Sequence, residues 1–547
     1  MNGVRLPPVL RSPALWLLLA VCAAEFWLFD QAGARRFTAV YPRYNDQIQY
    51  LTESYAGHEF ARRRGVVAGT LNAFTNPSAQ GTLHDVFAVA LFHVTGPSRS
   101  AALALNFAAL AAWQLALFFA VARTTGSRPL AFAVALLPSA LAGPWLDVPG
   151  SAYDFRLDHL AMCALGVASA AAVLADGFRS RRGASWFGVA VGLALLTRFL
   201  TGTYFVLVFA GCALWVLADR GPARRTRALH LLRAAVLAFV LAGPVFWLNY
   251  ETVREYYWIG HYVGPESAIR NQHFGFLRSL QYVFGHLGER HLGAAFGAIA
   301  FAAAGTFALC RAHPRQDARP DLWIAGTIFL LAPAAVLVLH VQKSEAVLGA
   351  LAPGVVLLVA ALWQSAARRA GPLARGAVAA GVAAGALGFF AHAQLRPAFT
   401  PEQLADLRQV NMLADRIHAR WLARPKIAGE PDRGARVAVD YITDALDAQV
   451  LRVVIYERHR VLAPLDMTLP TGIAEPVESE VSGRLANSDF VFVTEGDTAG
   501  PFPYDRKLAA LRPNVHGWCL AHLRPAERFT LQGRRMVLYQ RRELAFP

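Results

Sequence analysis

The chain has 547 residues, 55% of them hydrophobic and only 16% charged, with a formal net charge of +16. Soluble domains carry about 25% charged residues, so this composition excludes an ordinary soluble globular protein and points to a bilayer. Nearly all the positive charge is arginine, and it comes without a helix-turn-helix, zinc or RNA-binding signature, so no nucleic-acid partner is expected.

A membrane-spanning helix needs about 20 mainly apolar residues. Eleven runs meet that description, in chain order 14–29, 101–121, 130–146, 157–174, 184–200, 204–217, 228–248, 292–309, 322–339, 346–363 and 377–390. The first ends in Glu25, Trp27 and Phe29 instead of small residues, so it reads as a retained anchor and not a cleaved leader. Arginine gathers in alternate loops, among them Arg123 and Arg128, then Arg179, Arg181 and Arg182, then Arg224, Arg225 and Arg227. Short cytoplasmic loops collect such residues, which places the N-terminus inside and the C-terminus outside. The exception is the first loop, with Arg35, Arg36, Arg43 and Arg62–Arg64, but long loops cross membranes largely regardless of charge.

The expected fold is therefore a polytopic α-helical membrane protein with about eleven transmembrane helices over residues 1–395, followed by a small soluble α/β domain over 396–547. External loops are expected at 30–100, with an amphipathic stretch at 86–94, and at 249–291, where Tyr250, Tyr256, Tyr257, Trp258 and Tyr262 crowd together. Such aromatics suit either a membrane interface or a sugar-stacking surface. In the C-terminal part, Leu404, Leu407, Val410, Leu413, Ile417 and Trp421 have helical spacing, and β-like runs occur at 437–439, 450–455, 490–493 and 536–539. Cys22, Cys163, Cys212 and Cys310 lie in spans and Cys519 stands alone, so no disulfide framework is implied.

Charge at a membrane boundary is costly and marks candidate sites. Asp46 lies just outside the first span, with Tyr50 one helical turn away, and suits a general base or a capping acid. Asp154, Arg156 and Asp158 gather at the outer end of the fourth span; a helix there would put the two carboxylates on one face and Arg156 off it. His340 and Lys343 lie between the ninth and tenth spans, and Lys343 is the sole lysine of the membrane part. It suits a phosphate ligand or a snorkelling interface residue. Thr197-Arg198 at the end of the fifth span suits an anion site or an anchor.

With these residues in view, the chain resembles the GT-C glycosyltransferases, in the branch of protein O-mannosyltransferases and the lipid A aminoarabinose transferase. Asp46 and Tyr50 match the D-E-x-x-Y pattern of the first loop, with Gln47 at the second acid; Gly81-Thr82-Leu83-His84-Asp85 and Gly96-Pro97-Ser98 are similar to the family's juxtamembrane segment, without its Pro-Pro. Arg156-Leu157-Asp158 resembles its R-x-D, Leu196-Thr197-Arg198 its L-T-K, and 343–353 its basic residue and proline-bearing span.

The resemblance implies an inverting glycosyltransferase that moves a sugar from a polyprenyl-phosphate donor to an extracytoplasmic glycan, lipid or protein; the arginine-rich, lysine-poor composition suggests a bacterial inner membrane, with the active face in the periplasm. Asp46 would be the base; Arg156, Asp158, Lys343, Arg198, Tyr50 and His340 would bind the donor and its phosphate. With Gln47 in the acid's place, neither a metal nor another cofactor is expected. The competing expectations are a transporter or flippase of lipid-linked sugars, which would have polar or broken helices at mid-membrane, and an assembly factor working through Asp440, Asp444 and Asp447.

Overall fold

The computed structural model describes residues 12–38, 42, 45–146, 149–309, 320–367, 372–395, 401–422, 435–439, 447–463, 465–467, 478–495, 505–531 and 533–543. Arg43, Cys310, Asp440 and Asp444 lie outside the described residues. The chain forms two compact units, one of Met1–Gly33, Gly65–Val94 and Ser100–Arg396, the other of Ala34–Arg64, Thr95–Arg99 and Pro397–Pro547. The first external loop is thus divided, and residues 34–64 and 95–99 group with the C-terminal part.

The helices begin with α1 (Pro13–Arg36), α2 (Asn45–Arg64), α3 (Val66–Thr75), α4 (Leu83–Thr95), α5 (Arg99–Thr125) and α6 (Arg128–Ala135). They continue with α7 (Leu157–Leu174), α8 (Arg181–Thr197), α9 (Thr201–Leu217), α10 (Arg224–Leu248), α11 (Tyr250–Val253), α12 (Pro265–Arg270), α13 (Phe276–His286), α14 (Gly293–Leu309), α15 (Asp321–Leu339), α16 (Ala352–Ala367) and α17 (Pro372–Gln394). Each of the eleven apolar runs is helical, and seven helices among the described residues are long and apolar enough to cross a membrane. The run 130–146 departs from expectation. Its α-helix stops at Ala135 and gives way to two 3-10 turns, Leu137–Ala140 and Gly143–Trp145. Pro138 and Pro144 each stand at the first positions of those turns, where a missing N–H costs nothing.

The expected loops at 30–100 and 249–291 are also largely helical. The second contains a π-helix, Arg254–Val263, between α11 and α12. In the first unit the core joins α7, α8, α9, α10 and α15, with Phe187, Tyr204, Phe205 and Phe329 buried in it. Small residues let these helices approach closely, since lipid supplies no hydrophobic drive between them. A Cβ on Gly188 of α8 would stand 2.4 Å from the carbonyl oxygen of Ala234 on α10.

The second unit holds a five-stranded sheet in the order β2-β1-β3-β5-β4, built from β1 (Val437–Val439), β2 (Leu465–Met467), β3 (Phe490–Thr494), β4 (Leu523–Leu531) and β5 (Arg534–Arg541). The first three are parallel neighbours; β5 runs antiparallel to β3 and β4. Every residue of β3 is buried, as expected for a strand covered on both faces. The helices α18 (Pro401–Leu422), α19 (Ala448–His459), α20 (Glu478–Ala486) and α21 (Asp505–His522) complete the unit. One expectation is corrected: the run 450–455 is helical, part of α19, and not a strand. The Asp447 carboxylate caps that helix by accepting from the amides of Gln449 at 2.9 Å and Val450 at 3.0 Å, and Val450, Leu451, Val454 and Ile455 then form one buried stripe.

Candidate active site

In the first unit the segment before α4 lies against the end of α8. The amide of Thr82 donates to the Leu196 carbonyl at 3.0 Å and that of Phe199 to the Gln80 carbonyl. A Cβ on Gly81 would fall 2.2 Å from the Thr197 carbonyl oxygen, so only glycine fits there. The segment is further braced by Ser78, whose amide donates to Asn249 Oδ1 at 2.6 Å. Gln80, held in this way, donates from Nε2 to the Tyr256 hydroxyl at 3.1 Å.

Two ion pairs form where α7 begins. Arg198, the C-cap residue of α8, pairs with Asp158 in the first turn of α7, and both side chains are largely buried, 15% and 5% exposed. The N-terminal dipole of α7 adds to the stabilisation of that carboxylate. Arg156 pairs with Asp154 at 2.5 Å, and Asp154 also accepts from the Gly150 amide at 2.7 Å. Asp154 stands in the turn before the helix, whose N-cap is Arg156, so the two aspartates do not share a helical face and Arg156 is turned to one of them. The sequence expectation for that stretch is corrected on both points.

Lys343 has a different occupation. Its ammonium donates to the carbonyl oxygens of Leu337 at 3.0 Å, Val338 at 2.8 Å and His340, closing the C-terminus of α15. A lysine has three donors; all three are spent on the backbone. His340 turns its Nδ1 to the amide of Gln342 at 3.2 Å, and burial holds its imidazole below the usual histidine range.

The cation that sequence reasoning missed is Arg270, the last residue of α12. Its guanidinium lies over the Tyr256 ring at 5.5 Å and reaches Gln342 Oε1 at 3.5 Å. Around it the π-helix presents Tyr256, Tyr257 and His261, with the His261 ring 5.2 Å from Tyr256 and 5.3 Å from His340. His261 is 5% exposed, and neither ring nitrogen has a hydrogen-bond partner among the described residues. Burial, then the positive charge of Arg270 and the neighbouring His340, push it down to about 3, so it is neutral at pH 7. Arg198 also acts on it electrostatically, and on Tyr257 together with Asp158, which ties the ion pair to the aromatic group.

Arg198, Asp158 and His340 are therefore brought together, joined by Arg270, His261, Tyr256 and Gln80. Arg156 and Lys343 stand next to these residues, and each is paired there, Arg156 with Asp154 and Lys343 with the carbonyl groups at the end of α15. Asp46 and Tyr50 lie on α2 of the second unit, Asp46 exposed in the first turn and Tyr50 buried at 5%.

An apolar cleft of about 740 Å³ opens in the first unit between the end of α8 and the end of α10, lined by Leu195, Phe239, Pro244, Phe246, Trp247 and Tyr250 among others. Leu195 is three residues before Arg198 in the chain, and among the described residues no charged one lines the cleft itself. Pro244 sits inside α10, where it has no N–H to give to the helix. This combination suits an amphiphile: an apolar chain in the cleft and an anionic head at Arg198 and Arg270, oriented by tyrosine hydroxyls and amides.

No protein-family model matches the sequence, and no curated protein is similar to it. Solved structures are similar in fold. ArnT from Cupriavidus metallidurans in the apo state superposes with a TM-score of 0.58 at 16% identity, covering 96% of this chain and 97% of that one. The same protein bound to undecaprenyl phosphate gives 0.57 at 14% identity, covering 98% and 100%. The arabinofuranosyltransferase AftD from Mycobacteria gives 0.51 at 14% identity, covering 96% of this chain and 40% of that one. The GT-C resemblance drawn from short motifs is borne out at the level of the fold.

Proposed function

We propose that this chain is an inverting, polyprenyl-phosphate-sugar-dependent glycosyltransferase of a bacterial inner membrane, acting at the periplasmic face on a glycan, lipid or protein. The observation that carries the proposal is the buried Arg198–Asp158 pair beside the segment whose Gln80 holds Tyr256, the ring under the Arg270 guanidinium, in a unit that also has an apolar cleft. That arrangement fits a lipid whose head is a phosphate, and the similar ArnT structure holds undecaprenyl phosphate.

In the proposed step the acceptor hydroxyl oxygen forms the new bond to the anomeric carbon while the bond from that carbon to the phosphate oxygen breaks. The acceptor proton passes to a carboxylate and the polyprenyl phosphate leaves as its own anion. Phosphate is a good leaving group, so the demand on the protein is a base and fixed positive charge. Asp46 is assigned the base. Arg198 and Arg270 are assigned the phosphate, with Asp158 holding Arg198 in place; His340 and the neutral His261 face the same group. Lys343 is assigned to the end of α15 and not to the donor, since its donors are occupied. Gln47 supports a step without a metal, because the second acid that would help to hold one is missing.

The test is transfer or hydrolysis of synthetic polyprenyl-phosphate sugars by the full chain in nanodiscs, beside Asp46→Asn. Turnover by the wild type that Asp46→Asn loses while it still binds donor supports the assignment. Donor binding with no turnover of any sugar, together with movement of donor across a sealed vesicle membrane, would replace it with the transport reading.

A further inference from the structure

Helix α2 carries Asp46 in its first turn and is otherwise a polar, arginine-ended helix of the kind that needs a partner to stay in one place. Its partner within the second unit is α19. Ile48, Leu51, Tyr55 and His58 recur at helical spacing and are all buried, which marks the side that packs. Tyr55 is fully buried; its ring stacks on Tyr456 of α19 at 4.5 Å, and its hydroxyl donates to Glu457 Oε1 at 2.8 Å. The next residue back, Tyr456, donates to Glu59 at 3.0 Å, one turn along α2.

Glu457 does more than take Tyr55. Arg99 donates from Nε to both of its oxygens, at 2.8 and 3.0 Å, and from its two other nitrogens to the carbonyl oxygens of Phe37 at 3.2 Å and Thr38 at 2.9 Å. Phe37 and Thr38 belong to the strand of chain that leads into α2. One carboxylate therefore fixes the helix through Tyr55 and its approach through Arg99, and Asp46 lies between those two points. Nine residues separate Asp46 from Tyr55, about 13 Å and half a turn round the helix, so the held face and the carboxylate point apart.

We propose that Glu457 is a positioning residue: with Tyr55 and Arg99 it sets the position of α2 along its axis and so places Asp46. This rests on Asp46 acting as the base. The C-terminal domain then serves the reaction as the mount of its base, whatever else it binds.

The experiment uses the full chain in nanodiscs with a synthetic polyprenyl-phosphate sugar that it turns over, and follows amide exchange of residues 45–55 in parallel. Glu457→Ala is expected to lower kcat by about 100-fold, the scale of an ångström's misplacement, with donor KM within twofold and faster exchange over 45–55. Glu457→Gln keeps an acceptor for Tyr55 and is expected to return kcat to within about tenfold of the wild type. In an Asp46→Asn background Glu457→Ala is expected to cause no further loss. Should Glu457→Ala not fold, Glu457→Gln and Tyr55→Phe carry the test with smaller shifts of the same two readouts. Unchanged exchange over 45–55 would overturn the proposal whatever the activity does. A loss of equal size with and without Asp46 would overturn it too. Full turnover by Asp46→Asn would instead remove the base assignment, and exchange faster only in the Glu457 variants would tell that failure apart.

Discussion

Two cations sit just beyond the ends of apolar helices, and they are used in opposite ways. Lys343 folds back on α15 and satisfies three of its own last carbonyl groups. Arg198 follows α8 and reaches across to Asp158 on another helix, within a group of aromatic and imidazole side chains. The sole lysine of the membrane part is singled out by its rarity, and in the structure it closes the end of a helix. Rarity identifies a residue that was wanted; what it faces depends on which acceptors lie within reach.

The comparison is broken most directly at Arg198. Arg198→Ala removes a phosphate ligand and leaves Asp158 buried without its partner, a loss of about 3–5 kcal/mol in stability. Donor binding is expected to vanish in a titration with polyprenyl phosphate, and the unfolding temperature in detergent to fall; Arg198→Lys should recover the second far better than the first. Arg270→Ala acts on the other cation of the group. It should weaken donor binding by about 10–100-fold, the worth of one charged hydrogen bond, with little change in unfolding temperature.

Lys343→Met sharpens the contrast from the other side. A buried cation at a helix end contributes up to about 2 kcal/mol, so stability should fall by about that much while donor affinity stays within twofold. A loss of donor affinity comparable to that of Arg270→Ala would restore Lys343 to the phosphate site.

The smallest expected effect concerns His261. Its folded value lies near 3, below the 6.5 of an ordinary histidine. The unfolded chain therefore binds more protons between those values, and its contribution to stability is complete above 6.5 and declines as pH falls towards 3. His261→Phe should lose less unfolding temperature than the wild type between pH 7 and 5. Equal losses would mean that His261 takes up its proton as readily in the folded protein as in the unfolded chain.

The long apolar helices were legible because a run of apolar residues states its own length: the expected span 157–174 coincides with α7. The strand expected at 450–455 failed because valine and isoleucine favour sheets on average, while the capping Asp447 and the burial of one helical stripe decided the matter locally. Asp158, Arg198 and His340 could be picked out by charge at a membrane boundary. Arg270 could not, being one arginine among many in a segment read as loop. The spacing from the aromatics of the π-helix to Arg270 gave no warning, because the contact with Tyr256 depends on a turn at Gly264 and Pro265.

The close approach of α8 and α10 sets the gauge of the cleft between their ends. Where Gly188 meets the Ala234 carbonyl there is no slack to take up, and a turn later Gly192 meets the side chain of Leu241. Two helices locked at that separation travel as one plank. A guest entering between their ends is measured against a slot set by the backbones, with the exposed rings of Phe239 and Trp247 at its edge and Phe246 packed on Phe199. A chain with thicker branching or a different double-bond geometry has to adapt itself to the protein, because the protein's frame does not yield to it.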